Sequence, residues 1–321
     1  MNKKHIALLV ATSLMAGHAF ALDGDIRFTG KVEVGMASKK ENGISNRAVE
    51  DGGSELNVVG SADIGNGLKA LLQVNTDIKL DNNKGTDHFA NGDTFVGLQG
   101  EFGTVKLGRG INAYGDGYFK ANLYAYDVGP DRGDIISGGG SSRGAFKYEA
   151  PNLNGLALSF SYSPGEDKTT TQPRATDAWA ASGTYEQGMF GTRLSFGQQK
   201  VAAGGTLKDT LLALKVVPVA GLTLATELNN SKNVKGPTQK SVGVYAEYKP
   251  QRVGVRAGYV STTDFGYVSG GKHKVTLLGA DYDLSGKDSR FQTSLFAEYK
   301  SDKKNNGKRD NYLFGGVHIG F

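Results

Sequence analysis

Val253-Gly-Val-Arg-Ala-Gly-Tyr259 places Val253, Val255, Ala257 and Tyr259 on one face of an extended chain and Arg256 on the other. Successive side chains of a strand point to opposite faces, so a period of two separates an apolar face from a polar one. The alternation recurs along the chain. Leu156, Leu158, Phe160 and Tyr162 form one apolar stripe, Phe190, Thr192, Leu194 and Phe196 a second, and Val242, Val244, Ala246 and Tyr248 a third. The opposite faces carry Glu227, Glu247, Arg256, Glu298 and Lys300. In a closed soluble barrel these charges would enter a packed core, at several kcal/mol for each unpaired ion. In a water-filled bore they cost little. The pattern predicts an all-β fold, a transmembrane antiparallel β-barrel with lipid outside and water inside.

The alternation starts at Asp25. Ile26, Phe28, Gly30, Val32 and Val34 share one face, and Asp25, Arg27, Thr29, Lys31 and Glu33 the other. Sixteen strands follow from the pattern: 25–37, 53–65, 67–77, 93–101, 104–110, 142–150, 155–163, 177–186, 189–199, 208–218, 221–230, 240–249, 252–262, 273–283, 289–300 and 311–321. Short connections such as Gly65-Asn-Gly67 and Val219-Ala-Gly221 alternate with longer polar ones such as Pro164–Thr176 and Thr263–Lys272. Short turns at one end and long loops at the other are the asymmetry of outer-membrane barrels, and aromatic residues at stripe ends fit interfacial girdles.

Composition agrees. Among 321 residues there are 47 glycines, 7 prolines and no cysteine, and 38% are hydrophobic. No stretch after the N-terminus approaches ~18 consecutive apolar residues, which excludes helical membrane spans. The absence of cysteine removes thiolate metal sites and cysteine nucleophiles. Residues 1–21 have the form of an export signal: Lys3 and Lys4, an apolar run from Ile6 to Ala16, and the small-residue pattern Ala19-Phe-Ala21. The expected mature chain is therefore 22–321. Loss of two leader lysines lowers the formal charge from +5 to +3, without the clustered basic face of a nucleic-acid binder.

One stretch resists the alternation. Between the strands Thr104–Arg109 and Arg143–Glu149, residues 111–142 have no usable periodicity, many glycines, and the acids Asp116, Asp127, Asp131 and Asp134. A structureless segment of that length in a compact domain is usually functional or disordered. It is expected to be a constriction loop folded into the bore.

The chain ends on Phe321, with Ile319, Val317, Gly315 and Leu313 in phase behind it. With this end, Gly65-Asn-Gly-Leu-Lys-Ala70, Phe95-Val-Gly-Leu98, Phe102-Gly-Thr-Val-Lys-Leu-Gly-Arg109, Lys147-Tyr-Glu-Ala-Pro-Asn-Leu-Asn-Gly155 and Gly279-Ala-Asp-Tyr-Asp-Leu-Ser285, the sequence resembles the trimeric sixteen-stranded general porins of Gram-negative outer membranes. The resemblance implies a homotrimer of independent pores for passive diffusion of ions and small hydrophilic solutes, with no cofactor and no enzymatic activity. It also implies a third loop narrowing each pore, and a terminal Phe that helps recognition by the barrel-assembly machinery. Outer-membrane lipids and lipopolysaccharide are the expected surroundings.

Phase then nominates Arg27, Lys31, Lys69, Lys106, Arg143 and Lys147 as the basic pore wall, facing the acids of the loop. The family often carries Arg or Lys where this chain has Glu55, Val59 and Gly92, so the basic ladder is thinner and the sign of ion selectivity stays open. A substrate-preferring pore, with Tyr114, Tyr118 and Tyr124 favouring sugars or another solute class, is an alternative. So is a closed adhesive or enzymatic barrel. Gly140-Ser-Ser-Arg-Gly144 matches a hydrolase elbow but has a glycine run before it and a strand after it, where that motif needs strand then helix. His88, His273 and His318 lack ligand spacing. The tract Lys303-Lys-Asn-Asn-Gly-Lys-Arg309 is a basic loop able to meet lipopolysaccharide phosphates, or a solvated hairpin tip.

Overall fold

Asn42-Gly43 reverses the chain with both residues at positive φ, 50° and 87°, and Asn66-Gly67 does so with 54° and 72°. Two successive positive φ values make the tight turn whose twist matches paired strands, and Asn and Gly tolerate it. The first of these turns lies in a stretch left outside the predicted strands, and it corrects them. In the computed structural model, which describes residues 24–81, 89–117, 119, 144–165, 177–201, 205–286, 289–305 and 307–321, strand β1 (Gly24–Glu41) runs on to this turn and β2 (Ile44–Asp51) returns from it. The Asn-Gly pair was a readable hairpin signal.

The remaining strands are β3 (Glu55–Gly65), β4 (Leu68–Asp77), β5 (Thr94–Gly100), β6 (Gly103–Arg109), β7 (Ala145–Glu149), β8 (Leu156–Ser163), β9 (Ala178–Gln187), β10 (Phe190–Val201), β11 (Gly205–Val219), β12 (Leu222–Lys232), β13 (Thr238–Tyr248), β14 (Val253–Thr263), β15 (Lys272–Asp283), β16 (Gln292–Lys304) and β17 (Arg309–Gly320). β2 pairs with the outer half of β1, and β3 with its inner half. They are one strand broken at 52–54, where Asp51 Oδ1 accepts from the amides of Gly53 (2.9 Å) and Ser54 (2.8 Å). Seventeen segments therefore occupy sixteen positions in one antiparallel sheet.

The sheet closes where β1 pairs with β17, from Lys31 opposite Gly320 to Lys40 opposite Asn311. Closure leaves no strand edge unpaired, which a bilayer requires because hydrocarbon cannot hydrogen-bond a bare backbone. At the seam Gly35 faces Gly316. A Cβ on Gly35 would lie 2.3 Å from the carbonyl oxygen of Gly315, so the close approach needs glycine.

Exposure alternates as the sequence predicts. Val242, Val244, Val253, Val255, Tyr259 and Leu278 are exposed on the outer face, while Ser241, Gly243, Arg256, Val260 and Leu277 on the opposite face are buried. One expectation needs correction. Glu227, Arg256, Glu298 and Lys300 do face inward, but they are 1–5% exposed rather than bathed by the bore. Glu227 accepts from the Tyr245 hydroxyl at 3.2 Å, and the other three belong to an ion network. Arg256 Nη1 meets Asp281 Oδ1 at 3.0 Å and its Nε meets Glu298 at 3.5 Å, Lys300 meets Glu298 at 3.3 Å, and Lys249 meets Asp281 at 2.6 Å. Beside this network an inward-facing apolar cluster (Leu211, Ala213, Ala225, Tyr245, Val260, Val275 and Leu277) continues onto Ala113, Tyr114 and Phe119 from the segment after β6.

Candidate pore constriction

The segment after β6 is held against the inner wall by side chains from β7 through β12. Gly110 (φ 77°) turns the chain, and Asn112 Oδ1 accepts from the Tyr114 amide (2.9 Å) at the start of a 3-10 turn, Ala113–Gly117. The Ala113 amide donates to Ser161 Oγ on β8 (3.0 Å), and Asn229 on β12 donates to the Tyr114 hydroxyl (2.7 Å). Gly117 is required by space, since a Cβ there would sit 2.0 Å from Ser195 Oγ on β10. The Phe119 ring then lies under two cations, 4.6 Å from the Arg193 guanidinium and 5.1 Å from Lys215 Nζ. Such contacts add about 0.5–2 kcal/mol each.

Asp116 is the electrostatic centre of this arrangement. Its carboxylate accepts from Lys147 Nζ at 2.8 Å and from Ser159 Oγ at 2.5 Å, while its backbone carbonyl accepts from Arg193 Nη1 at 3.2 Å. Lys147 stands directly opposite Lys106 in the β6–β7 ladder. Like charges directly across a ladder repel. Here Glu149 lies between them, 2.8 Å from Lys106 and 3.2 Å from Lys147, and Asp116 takes the remaining reach of Lys147. Further round the wall Glu186 holds Arg193 at 2.6 Å and Lys215 at 2.8 Å. Thr104, Ser159, Ser182, Thr184, Asp116, Glu149 and Arg193 line a cavity of about 430 Å³ beneath the 3-10 turn.

The structure thus brings together Asp116, Lys106 and Lys147 from the predicted set. Lys31 also faces inward but pairs with Glu33 on its own strand (2.8 Å), and His318 holds the other Glu33 oxygen at 2.7 Å. Arg27 and Lys69 are exposed near the short-turn end, opposite Val59 and Gln99. Asp127, Asp131, Asp134, Arg143, Tyr118, Tyr124, Ser142, His88 and the leader 1–21 lie outside the described residues. Tyr114 is corrected: it is 1% exposed with its hydroxyl bonded to Asn229, so it serves as an anchor and offers no face to a passing sugar.

Arg193, Lys215, Glu149 and Glu186 were missed. Phase could have placed each on the inner face, since Arg193 alternates with Thr192 and Leu194 and Lys215 with Leu214 and Val216. Nothing local says that they converge on one loop turn. The thin stretch of the ladder also has a packing reason. Glu55 and Asn57 are bonded by Asn75 Nδ2 (2.9 and 2.7 Å), and a Cβ on Gly92 would collide with Asn75 Oδ1 at 1.7 Å. At the C-terminus Phe321 extends the closure by exchanging backbone hydrogen bonds with Gly30 (3.0 and 3.1 Å), its ring edge-on to Phe291.

Comparison with known proteins places this barrel. The family model for Gram-negative porins matches residues 6–307. The major outer membrane protein P.IA of Neisseria meningitidis serogroup A is 30% identical over 149 residues, which is 43% of this chain and 35% of that protein. The chain thus spans about a third of the length of the first curated relatives it matches. Protein P.IB of Neisseria lactamica is 26% identical over 330 residues, covering 90% of this chain and 91% of its own length. Among solved structures, an anion-selective porin from Comamonas acidovorans superposes with a TM-score of 0.79 at 20% identity, over 93% of this chain and 100% of that one. The trimer form of OmpT from Vibrio cholerae gives 0.67 at 13% identity, over 92% and 99%. The chain belongs to the Gram-negative porin family.

Proposed function

We propose that this barrel is a passive diffusion pore for ions and small hydrophilic solutes, narrowed by segment 111–142. The observation that carries the reading is the docking of Asp116 onto Lys147 and Ser159, with Arg193, Lys215, Lys106, Glu149 and Glu186 around it on the inner wall. Fixed charges of both signs set across a wet gap select by size and field, with no binding step. Asp127, Asp131 and Asp134 would add acid to the loop side and Arg143 base to the wall side. Lys31, Arg27 and Lys69 would serve as wall charges towards the short-turn end.

Residues 1–21 would be removed on export, leaving 22–321 as the barrel. The relation to a trimer-form porin supports a homotrimer. The exposed apolar outer face supports contact with outer-membrane lipids, and the terminal Phe321 supports recognition by the barrel-assembly machinery. Reconstitution into a planar bilayer tests the reading. Conductance in groups of three steps with a finite reversal potential under a salt gradient is the expected result. Correctly folded barrels that pass no current would refute it.

A further inference from the structure

Where the barrel closes, its inner wall carries a dent of about 420 Å³ near the short-turn end. It crosses four neighbouring strands. Glu55 lines it from β3, Lys31 from β1, His318 and Gly320 from β17, and Gln292 from β16, with Arg290 just ahead of that strand. Register sets them side by side: Lys31 stands opposite both Glu55 and Gly320, and Gly320 stands opposite Gln292. Gly320 has no side chain to fill the space. A Cβ there would lie 3.4 Å from His318 Nε2, so that nitrogen borders the dent.

The charges round this dent are not matched in pairs as they are beside Asp116. Lys31 faces Glu55 across the ladder but turns instead to Glu33 on its own strand, 2.8 Å away. Glu55 keeps a neutral partner, Asn75 Nδ2 at 2.9 Å, and has no ion pair among the described residues. Arg290 is exposed on the far side and has none either among the described residues. Between the two, His318 is oriented by Glu33, whose Oε1 lies 2.7 Å from Nδ1. A carboxylate only accepts, so Nδ1 carries the proton and the neutral ring turns an acceptor, Nε2, to the dent. The order across the wall is an acid, an acceptor nitrogen, then a base.

Strands β3 and β16 are three inter-strand spacings apart, about 14 Å. Side chains reaching inward from both sides shorten the gap between their charges, and two residues of extended chain span about 7 Å. A solute of one sign would leave either Glu55 or Arg290 without a partner, and a single amino acid is too short to touch both. A dipeptide zwitterion meets all three groups. Its ammonium sits on Glu55, its carboxylate on the Arg290 guanidinium, whose fork matches two oxygens, and its peptide N–H on His318 Nε2. We propose that this dent is a binding subsite for short zwitterionic peptides at the short-turn mouth of the pore. The proposal rests on the reading of the bore as a diffusion path, which is what brings such solutes to it.

The test is saturation-transfer NMR on the folded protein in neutral detergent, with dialanine, N-acetyl-dialanine, dialanine amide and free alanine as probes. Dialanine should bind best. Arg290→Gln should weaken dialanine and the acetylated peptide by on the order of tenfold, the low end for a hydrogen bond to a charged group, and leave the amide unchanged. Glu55→Gln should do the reverse, weakening dialanine and the amide and sparing the acetylated peptide. Arg290 lies in an exposed turn, so its variant carries the test even where Glu55→Gln fails to reach the heat-resistant folded band on gels. No binding by the parent, equal binding of all four probes, or a variant that loses every peptide alike would each overturn the proposal. Conductance of the parent in plain salt separates the readings. A barrel that conducts but binds no dialanine loses the subsite and keeps the pore, and one that binds it but passes no current loses the pore and keeps the subsite.

Discussion

Replacing Asp116 with Asn should change the pore in two separable ways. The first is mechanical. The carboxylate accepts one hydrogen bond from Lys147 and one from Ser159. Hydrogen bonds to a charged group contribute about 1.5–3 kcal/mol each. Both wall partners have a second contact, however: Lys147 keeps Glu149 at 3.2 Å and Ser159 keeps Ser182 at 2.8 Å. That puts the loss at the low end, about 1.5 kcal/mol, or roughly tenfold in the equilibrium between docked and released turn. The Ala113 amide, bonded to Ser161 Oγ, reports it directly, and its hydrogen-exchange protection should fall by about the same factor.

The second change is electrostatic. Neutralising one acid at the wall leaves Lys147 and Arg193 less compensated, and the reversal potential should move towards anions. The Debye length is about 10 Å at 0.1 M salt and about 3 Å at 1 M, so the shift should be clear at the lower concentration and nearly vanish at the higher. Lys147→Met should move the potential the other way. An unchanged reversal potential at 0.1 M, or a shift that persists at 1 M, would refute the view that these charges face a conducting gap.

Two further substitutions probe the barrel itself. Arg256→Met removes a base that touches Asp281 and Glu298, but Lys249 and Lys300 remain on those acids, so the cost should be about 2–3 kcal/mol, below that of a fully orphaned buried charge. Adding Glu298→Gln should not restore it in denaturant unfolding from detergent, because Lys300 then loses the acid it pairs with, and a purely additive double variant would argue against a coupled network. Gly35→Ala pushes a Cβ onto the Gly315 carbonyl at the β1–β17 seam, and should slow or block conversion to the heat-resistant folded band on gels. Gly60→Ala, whose nearest neighbour atom would be 3.6 Å away, should fold like the parent, and equal folding yields of the two would remove steric closure as the explanation.

The sequence by itself determined the faces of the wall. A strand's side chains alternate with period two whatever surrounds it, so Val253, Val255, Ala257 and Tyr259 had to share the face opposite Arg256. Tight turns are equally local: Asn42-Gly43 and Asn66-Gly67 carry their own geometry, and the first went unread only because the polar residues around it hid the alternation. The convergence of charges was decided by tertiary structure. Arg193 is 77 positions from Asp116 and Asn229 is 115 from Tyr114, and each pair meets only because the closed, curved sheet carries β10 and β12 round to the turn after β6. The same curvature turned Tyr114 from a candidate solute contact into an anchor, and the inward charges of β14 to β16 into a buried ion network. Closure also set Glu55 and Arg290 on the two sides of one dent, because Gly320 meets Lys31 only where the first strand pairs with the last.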